Sequence, residues 1–306
     1  MLKPIVVVGS INLDLVARAP HIPRPGETII GSDFQTFYGG KGANQAVAAA
    51  KLGHPTLLVG NVGDDSFGPE LRQALEDIGV KTEAVKTVPG SSGVALITIG
   101  ASGENNIVVV PGANALLSPE QLEEAAPILR QAGFILAQLE IPLETVEYLG
   151  EFAAKNGIPL MLDPAPARDL PAGLLKNVTW LTPNESETEI LVKASVRGDD
   201  HASTTAAAGQ LLASGPQHVL LKLGAHGCLI AERGQTKQLV PAFPINAVDS
   251  TAAGDAFNAA FAVGLLRGES PPESARFACA VAAISVSRHG AQPSMPTLEE
   301  VEEFLA

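Results

Sequence analysis

Two cysteines, Cys228 and Cys279, are all the thiol chemistry that 306 residues offer. They have no CxxC spacing and no neighbouring His cluster, so neither a zinc site nor a disulfide framework is indicated. On that ground the chain reads as a reduced, cytosolic protein. Basic residues are also scarce. Twenty Lys and Arg against 33 Asp and Glu give a formal charge of −13, with no Lys/Arg run longer than two. That balance makes nucleic acid and anionic membrane poor partners. The start, MLKPIVVVGSINLD, holds too few apolar residues in a row for a signal segment or a membrane span. Internal repeats, low-complexity segments and an interdomain linker are missing as well. Any anionic ligand must therefore be held by local devices: helix N-termini, a few Lys or Arg, and a metal ion.

What is present is apolar: 46% of the residues are hydrophobic, enough for one large core in one catalytic domain carrying a small subdomain. Val-, Ile- and Leu-rich runs recur at Ile5 to Val8, Thr56 to Val59, Phe134 to Leu139, Leu160 to Leu162, Trp180 to Leu181, Val219 to Leu221 and Cys228 to Ile230. Continuous runs of this kind suit strands buried on both faces. Segments with helical spacing lie between them, among them Ala43 to Leu52, Pro119 to Gln131, Glu144 to Ala154 and Ala206 to Ala213. Strand alternating with helix predicts an α/β fold with a doubly wound, mainly parallel sheet. Two stretches, 15–38 and 93–110, break the rhythm and read as antiparallel strand material, the second as a hairpin turning at Gly100 to Gly103. They make either a small separate sheet, suited to covering a site, or an extra edge hairpin.

The most informative stretch is Val248-Asp-Ser-Thr-Ala-Ala-Gly-Asp-Ala-Phe-Asn258. Ala252, Ala253 and Gly254 lead straight into a helix, so main-chain N–H groups can approach an anion unobstructed. Asp255 then stands in the first turn, beside whatever the amides hold. There it can accept the proton of a hydroxyl attacking a phosphate, or merely start the helix. Tyr38-Gly-Gly-Lys-Gly-Ala-Asn44 is a second glycine loop before a helix. It is not a Walker A loop, since Gln35 and Gly42 stand where Gly and Ser/Thr are needed. Gly40, Lys41 and Asn44 nevertheless suit sugar hydroxyls. Asn12 and Asp14 follow the first strand, Glu140 the strand from Phe134, and Asp163 the strand from Leu160. All four thereby fall on the edge where open α/β sheets bind ligands, although each also fits a turn or a cap. Thr182-Pro-Asn184-Glu-Ser-Glu187 reads as a capped helix start, with Asn184 and Glu187 able to serve near Mg-bound phosphates. Lys222-Leu-Gly-Ala-His-Gly227 is a glycine turn between two strands.

GSINLD, GGKGANQAVAAAKLG, TPNESE, KLGAHG, DSTAAGDAFN and GAQPS run in this order along essentially the whole chain. With them the sequence resembles the ribokinase family of PfkB-type carbohydrate kinases. The resemblance implies transfer of the γ-phosphate of Mg-ATP to the 5-hydroxyl of D-ribose, giving ribose 5-phosphate and ADP. It implies a ribokinase-like αβα domain over 1–306, a β-sheet lid formed by about 15–38 and 93–110, and a homodimer in which two lids pack together. By motif, Asn12, Asp14, Gly40, Lys41, Asn44 and Glu140 would hold the sugar and Asp255 would be the base. Asn184, Lys222, Gly224, Gly227 and Cys279 would line the nucleotide site, with Ala253 and Gly254 supplying anion-hole amides and Glu187 helping to organise Mg2+. Asp249, Thr251, Ser285, Arg288, Gly290 and Ser294 match a monovalent-cation site for K+, Arg288 acting through its backbone. Ala252 stands where the wider family usually has Gly, although Ala there is itself ribokinase-like, and the chain departs at three further places. Cys279 stands where His or Asn is usual, Lys222 where Thr is common, and Asp163 where some relatives have Asn.

Other functions fit less well. A nicotinamide dehydrogenase would share the sheet pattern, but Gly9-Ser-Ile-Asn lacks GxGxxG. A catalytically silent sugar-binding protein has no need of Asp255 beside a glycine loop. Within the kinases, deoxyribose, a nucleoside or another pentose or hexose remains open as the acceptor.

Overall fold

The computed structural model describes residues 2–306. Thirteen strands occur among the described residues: β1 (Ile5–Val8), β2 (Asn12–Arg18), β3 (Asp33–Gly39), β4 (Thr56–Gly63), β5 (Lys81–Val88), β6 (Gly93–Ile99), β7 (Asn105–Val110), β8 (Phe134–Ala137), β9 (Leu160–Leu162), β10 (Trp180–Leu181), β11 (His218–Lys222), β12 (Cys228–Glu232) and β13 (Gln238–Val240). Nine of them form one sheet in the order β13-β12-β11-β10-β9-β8-β1-β4-β5. Pairing is parallel from β11 to β5 and antiparallel at β11–β12 and β12–β13. The apolar runs form strands because each is covered on both faces. In β1, Ile5 and Val7 join one buried cluster with the helices Lys41–Lys51, Ala253–Leu266 and Pro271–Val286. Val6 and Val8 join the other, with the helices Leu143–Asn156 and His201–Ser214. Alternation along a strand thus feeds two cores and makes three layers.

Strands β5 and β13 had no apolar run to announce them. Both lie at sheet edges, where one side goes unpaired and polar residues are tolerated. The remaining four strands form a separate sheet in the order β3-β2-β6-β7. Its hairpins β2–β3 and β6–β7 are antiparallel, as their turn-rich sequences predict, but β2 and β6 pair in parallel from Asn12–Gly93 to Arg18–Ile99. The parallel join follows from the chain leaving and re-entering this sheet through β4 and β5 of the large one. Asn12 and Asp14 therefore begin β2 of the small sheet rather than sitting in a loop beyond β1.

The order of the large sheet reverses between β1 and β8, since the chain builds outward to β4 and β5 on one side and to β9 and beyond on the other. Loops diverge at such a switch point and leave a crevice. The helix Lys41–Lys51 closes tightly over it: a Cβ on Gly42 would come within 2.5 Å of the Gly9 carbonyl carbon and 2.6 Å of the Ser10 nitrogen, both backbone atoms. Gly173, exposed on the short helix Ala172–Asn177, would meet nothing within 4 Å. Gly42→Ala is accordingly expected to cost about 1–3 kcal/mol of stability by overpacking. Gly173→Ala should gain up to about 1 kcal/mol by restricting the unfolded chain. Chemical denaturation of the two variants checks both signs.

Candidate active site

Ser10, after β1, and Glu140, after β8, meet across the switch point: the Ser10 hydroxyl donates to Glu140 Oε2 at 2.5 Å. The same oxygen accepts the Lys41 amide at 3.0 Å, while the Gly42 amide donates to Ser10 Oγ at 3.3 Å. The helix Lys41–Lys51 is thus moored by its first amides to two sheet loops. Gly40 permits this at φ 86, with its Cα hydrogen facing the Ser10 carbonyl and the Asn12 amide where a side chain would collide.

Asn44 and Gln45, one turn along, point at the start of another helix, Ala253–Leu266. Asn44 Nδ2 donates to Asp255 Oδ2 at 3.0 Å and Gln45 Nε2 to Asp255 Oδ1 at 3.1 Å. Asp255 is only 5% exposed. Burial raises its carboxyl to about 6. The Lys41 ammonium and the two amide donors work against the rise, and Asp163 adds to it. A carboxyl at that value is largely ionised at neutral pH yet more basic than an ordinary aspartate, which suits a proton acceptor.

Asp163, after β9, is buried beside this group. Its Oδ2 accepts Gln45 Nε2 at 3.3 Å and its Oδ1 accepts the Lys222 ammonium at 3.0 Å. Burial alone would lower the pKa of Lys41, but Asp255, Asp163, Glu140 and Glu187 together hold it above the usual lysine range. On the small sheet, burial and the Glu140 carboxylate raise Asp14 to about 6. Asn12 is buried and its Oδ1 accepts Asn114 Nδ2 at 2.7 Å. Asn114 in turn accepts the Ile11 amide at 2.9 Å, so the junction of β1 and β2 is held from a third segment.

Lys222 leads into a cleft of about 390 Å³ along the N-terminal half of the Ala253–Leu266 helix. Its walls include Ala242, Phe243, Ile245, Phe257, Cys279 and Val286, and its other end is formed by Lys222, Gly224, Ala253 and Gly254. One end is therefore apolar, as a flat aromatic base requires, and the other is cationic and rich in main chain, as phosphates require. The helix begins without a side-chain cap because Ala252 takes a left-handed φ of 58. The Ala253 amide is turned back onto the Ser250 carbonyl at 3.2 Å, leaving the Gly254 amide as the first donor of the helix start. A Cβ at Gly254 would stand 3.4 Å from Lys222 Nζ, so the ammonium lies against the start of this helix. Cys279 lies in the cleft wall, and both it and Cys228 are buried free thiols.

The remaining expected residues fall into three places. Asn184 caps the helix Glu185–Val192 in a reciprocal box with Glu187: its Oδ1 accepts the Glu187 amide at 2.8 Å, and Glu187 Oε2 accepts the Asn184 amide at 2.7 Å. Burial raises the Glu187 carboxyl, Lys222 opposes the rise and Asp163 adds to it, which puts this carboxylate in the electrostatic reach of the phosphate end. Gly227 adopts φ 91, and a Cβ there would meet the Val240 carbonyl oxygen at 2.0 Å, so this glycine lets the β11–β12 turn close on β13. Gly224, not Gly227, lines the cleft. Finally, Asp249 accepts the Thr251 amide and the Gly290 amide at 2.9 Å each. Partial burial opposes ionisation there, but the Thr251 hydroxyl and those amides hold its carboxyl below the usual range. The Ser285 and Ser294 hydroxyls are 2.8 Å apart and buried, and Arg288 turns its guanidinium away to Glu300 at 2.7 Å. Gln45, Asn114 and Gln138 carry much of this geometry although no motif singled them out. The only hint for Gln45 was its place directly after Asn44. Among the described residues, no three His, Cys, Asp or Glu side chains cluster as a metal-holding group, and no helix is long and apolar enough to cross a membrane.

Comparison with known proteins gives a consistent picture. The pattern described as pfkB family carbohydrate kinase matches residues 2–298. The chain is similar to the ribokinase of Haemophilus influenzae, at 42% identity over 100% of this chain and 99% of that protein. It is similar to the deoxyribokinase of Salmonella typhi at 41% identity over 99% and 98%. Among solved structures it is similar to Arabidopsis thaliana ribokinase complexed with ribose and ATP, with a TM-score of 0.93, 36% identity and coverage of 100% and 99%.

The raised carboxyl of Asp255 has a stability consequence. With about 6 in the folded chain against an ordinary 3.8, the folded state holds its proton to higher pH than the unfolded state. Below pH 4 the group costs nothing; ionisation then removes stability as pH rises through 6, by an amount on the order of 1–3 kcal/mol. Asp255→Asn should thus unfold a few degrees above the parent at pH 8 and close to it at pH 4, as thermal melts at the two pH values would show.

Proposed function

We infer the reaction from one premise: the chain belongs to the pfkB family of carbohydrate kinases. It is an ATP-dependent carbohydrate kinase. We propose that its acceptor is the 5-hydroxyl of D-ribose and its products are ribose 5-phosphate and ADP. The observation that carries the mechanism is the position of Asp255, a buried carboxylate of raised basicity in the first turn of the helix whose start borders the cleft. In this reading Asp255 takes the proton from the attacking hydroxyl. The Gly254 amide and the Lys222 ammonium face the transferred phosphoryl group. The apolar wall with Cys279 receives the base, Gly224 borders the nucleotide, and Gly227 shapes the turn that carries Gly224. Positive charge and amides placed where charge develops lower the barrier without reorganising at the moment of reaction.

Asn12, Asp14, Gly40, Lys41, Asn44 and Glu140 hold the sugar. Burial and, after it, the Glu140 carboxylate lift the Asp14 carboxyl, and a pair of sugar hydroxyls donating to the two would relieve that. A divalent cation would fit beside Glu187 and Asp163, carboxylates taken out of water whose opposing charges come from Lys222 and Lys41. Mg2+ typically takes one or two carboxylates plus substrate phosphates, so it needs no all-protein cage; bound there, it supplies charge neutralisation to the phosphates. Asp249, held below the usual carboxylate range by the Thr251 hydroxyl and the Thr251 and Gly290 amides, would with Thr251, Ser285, Gly290, Ser294 and the Arg288 backbone hold a monovalent cation such as K+ and so brace the loop before the Ala253–Leu266 helix.

The small sheet serves as the lid. Phe34, Leu96, Ile107, Val108, Val109 and Val110 are exposed on it, on both faces, so one face can cover the sugar while the other packs on the lid of a second copy as a homodimer. In this reading the enzyme acts on Mg-ATP and a small sugar, without a nucleic acid or membrane partner, in the cytoplasm.

The second acceptor that a specific observation favours is deoxyribose, since a deoxyribokinase is about as similar to this chain as the ribokinases are. ADP release measured with both sugars decides: a site built for a hydroxyl rejects the analogue lacking it strongly, so ribose should show the higher kcat/KM, and the reverse order would overturn the assignment. Asp255→Asn should lower kcat about 10²- to 10⁴-fold with KM little changed. Initial rates should be higher in K+ than in Na+ at matched ionic strength.

A further inference from the structure

The sugar-side base and the nucleotide-side ammonium belong to different segments, and one side chain joins them. Gln45 is 1% exposed on the helix Lys41–Lys51. Its amide nitrogen lies 3.1 Å from Asp255 Oδ1 and 3.3 Å from Asp163 Oδ2, one hydrogen for each carboxylate. Its amide oxygen accepts Gln138 Nε2 at 2.7 Å. That third bond fixes the amide orientation, because a flipped Gln45 would set an oxygen against two carboxylates and a nitrogen against a donor. The second oxygen of Asp163 holds Lys222 Nζ at 3.0 Å, in the cleft. A continuous line of polar contacts therefore runs from Asp255 through Gln45 and Asp163 to Lys222, with Gln138 as its anchor.

We propose that Gln45 is a positioning residue for phosphoryl transfer. Its amide nitrogen aims the Asp255 carboxylate at the attacking hydroxyl and, through Asp163, keeps the Lys222 ammonium at the phosphate end of the cleft. An amide suits the task because it donates to two carboxylates at once without adding charge. A Lys there would ion-pair with the base and reduce its basicity, and a carboxylate would repel it. This inference rests on Asp255 being the base, as proposed above.

Charged groups face this line from every side. Lys41 and Asp163 act on Asp255; Lys222 and Glu187 act on Asp163; Glu140 acts on Lys41. Among these, the Gln45 hydrogen bond stabilises the ionised form of Asp255. Removing it leaves the carboxylate buried and nearer to an unshielded Asp163, so the base loses its proton only at higher pH. Activity requires the ionised base, so the acid limb of the pH profile of kcat must move to the alkaline side, by on the order of one pH unit for a lost charge-assisted hydrogen bond.

The test is the pH–rate profile of the full-length enzyme with Mg-ATP and ribose for the parent, Gln45→Met, Gln138→Met and Asp255→Asn. Gln45→Met keeps length and burial and removes both donors. It should show the alkaline shift, with kcat near pH 6 reduced about fivefold and largely recovered at pH 8. Gln138→Met frees the Gln45 amide to reorient and should shift the limb the same way but less; it carries the test if Gln45→Met does not fold. A purely structural role for Gln45 predicts instead a lower melting temperature, or a kcat lowered equally at all pH values, with the limb unmoved. That outcome overturns the proposal. Asp255→Asn separates the two levels of inference. An acid limb persisting in its residual activity removes the base assignment and Gln45 with it, whereas a limb that vanishes there yet stays in place in Gln45→Met and Gln138→Met overturns the Gln45 proposal alone.

Discussion

Excess negative charge under low-dielectric cover is the constraint from which the rest of this site follows. Asp14, Glu140, Asp163, Glu187 and Asp255 gather along one edge of the sheet around its switch point, and among the described residues Lys41 and Lys222 are the ammonium groups that oppose them. Taking carboxylates out of water is costly, and the protein meets that cost in three ways. It raises the protonation points of Asp14, Glu187 and Asp255. It surrounds the carboxylates with amide and hydroxyl donors from Ser10, Asn44 and Gln45. And it draws both ammonium groups inward. The incoming nucleotide is itself a polyanion, so it brings a need for positive charge into a place already short of it. Main-chain donors at an uncapped helix start, and a cation accompanying the phosphates, are the devices compatible with that electrostatics.

The pairing of Asp163 with Lys222 shows how two departures from a family pattern become one feature. Read singly, Asp163 after a strand fits a turn or a cap, and Lys222 merely opens a glycine turn between two strands. In the fold they form one buried ion pair at 3.0 Å, with side chains 4% and 12% exposed. A lone change at either position would leave a buried charge uncompensated, which costs far more than the pair is worth. The Lys222 ammonium is in this way brought to the phosphate end of the cleft without being left unpaired in the absence of a nucleotide.

The large sheet was legible in the sequence because its central strands are buried on both faces and so are written as unbroken Val, Ile and Leu runs. Edge strands β5 and β13 escaped notice because half their groups face water and no such run is required of them. The glycine loop before the helix Lys41–Lys51 was legible for a steric reason: at Gly40 and Gly42 the backbones of two segments touch, and no other residue fits. Asp255 stood out by its place at a helix start. Gln45 did not, since a glutamine in an Ala-rich helix has no signature, and its value comes from carboxylates more than a hundred positions away. The same holds for Asn114, which reaches Asn12 over 102 positions. The parallel β2–β6 join was equally hidden, because hairpin turns specify only the strands they connect.

Strand β2 follows β1 after only three residues and begins with Asn12 and Asp14, whereas Lys41, Asn44 and Asp255 are fixed to the large sheet and its helices. With the sugar held as proposed, the ligand itself becomes a tie between two bodies that the chain connects only by short crossings such as residues 9–11 and 89–92. Occupancy and closure are then one event. The small sheet settles because the ligand grips both sides, and the ligand is retained because the sheet has settled. Its escape rate would be governed by the swing of a whole sheet and not by the strength of any single contact.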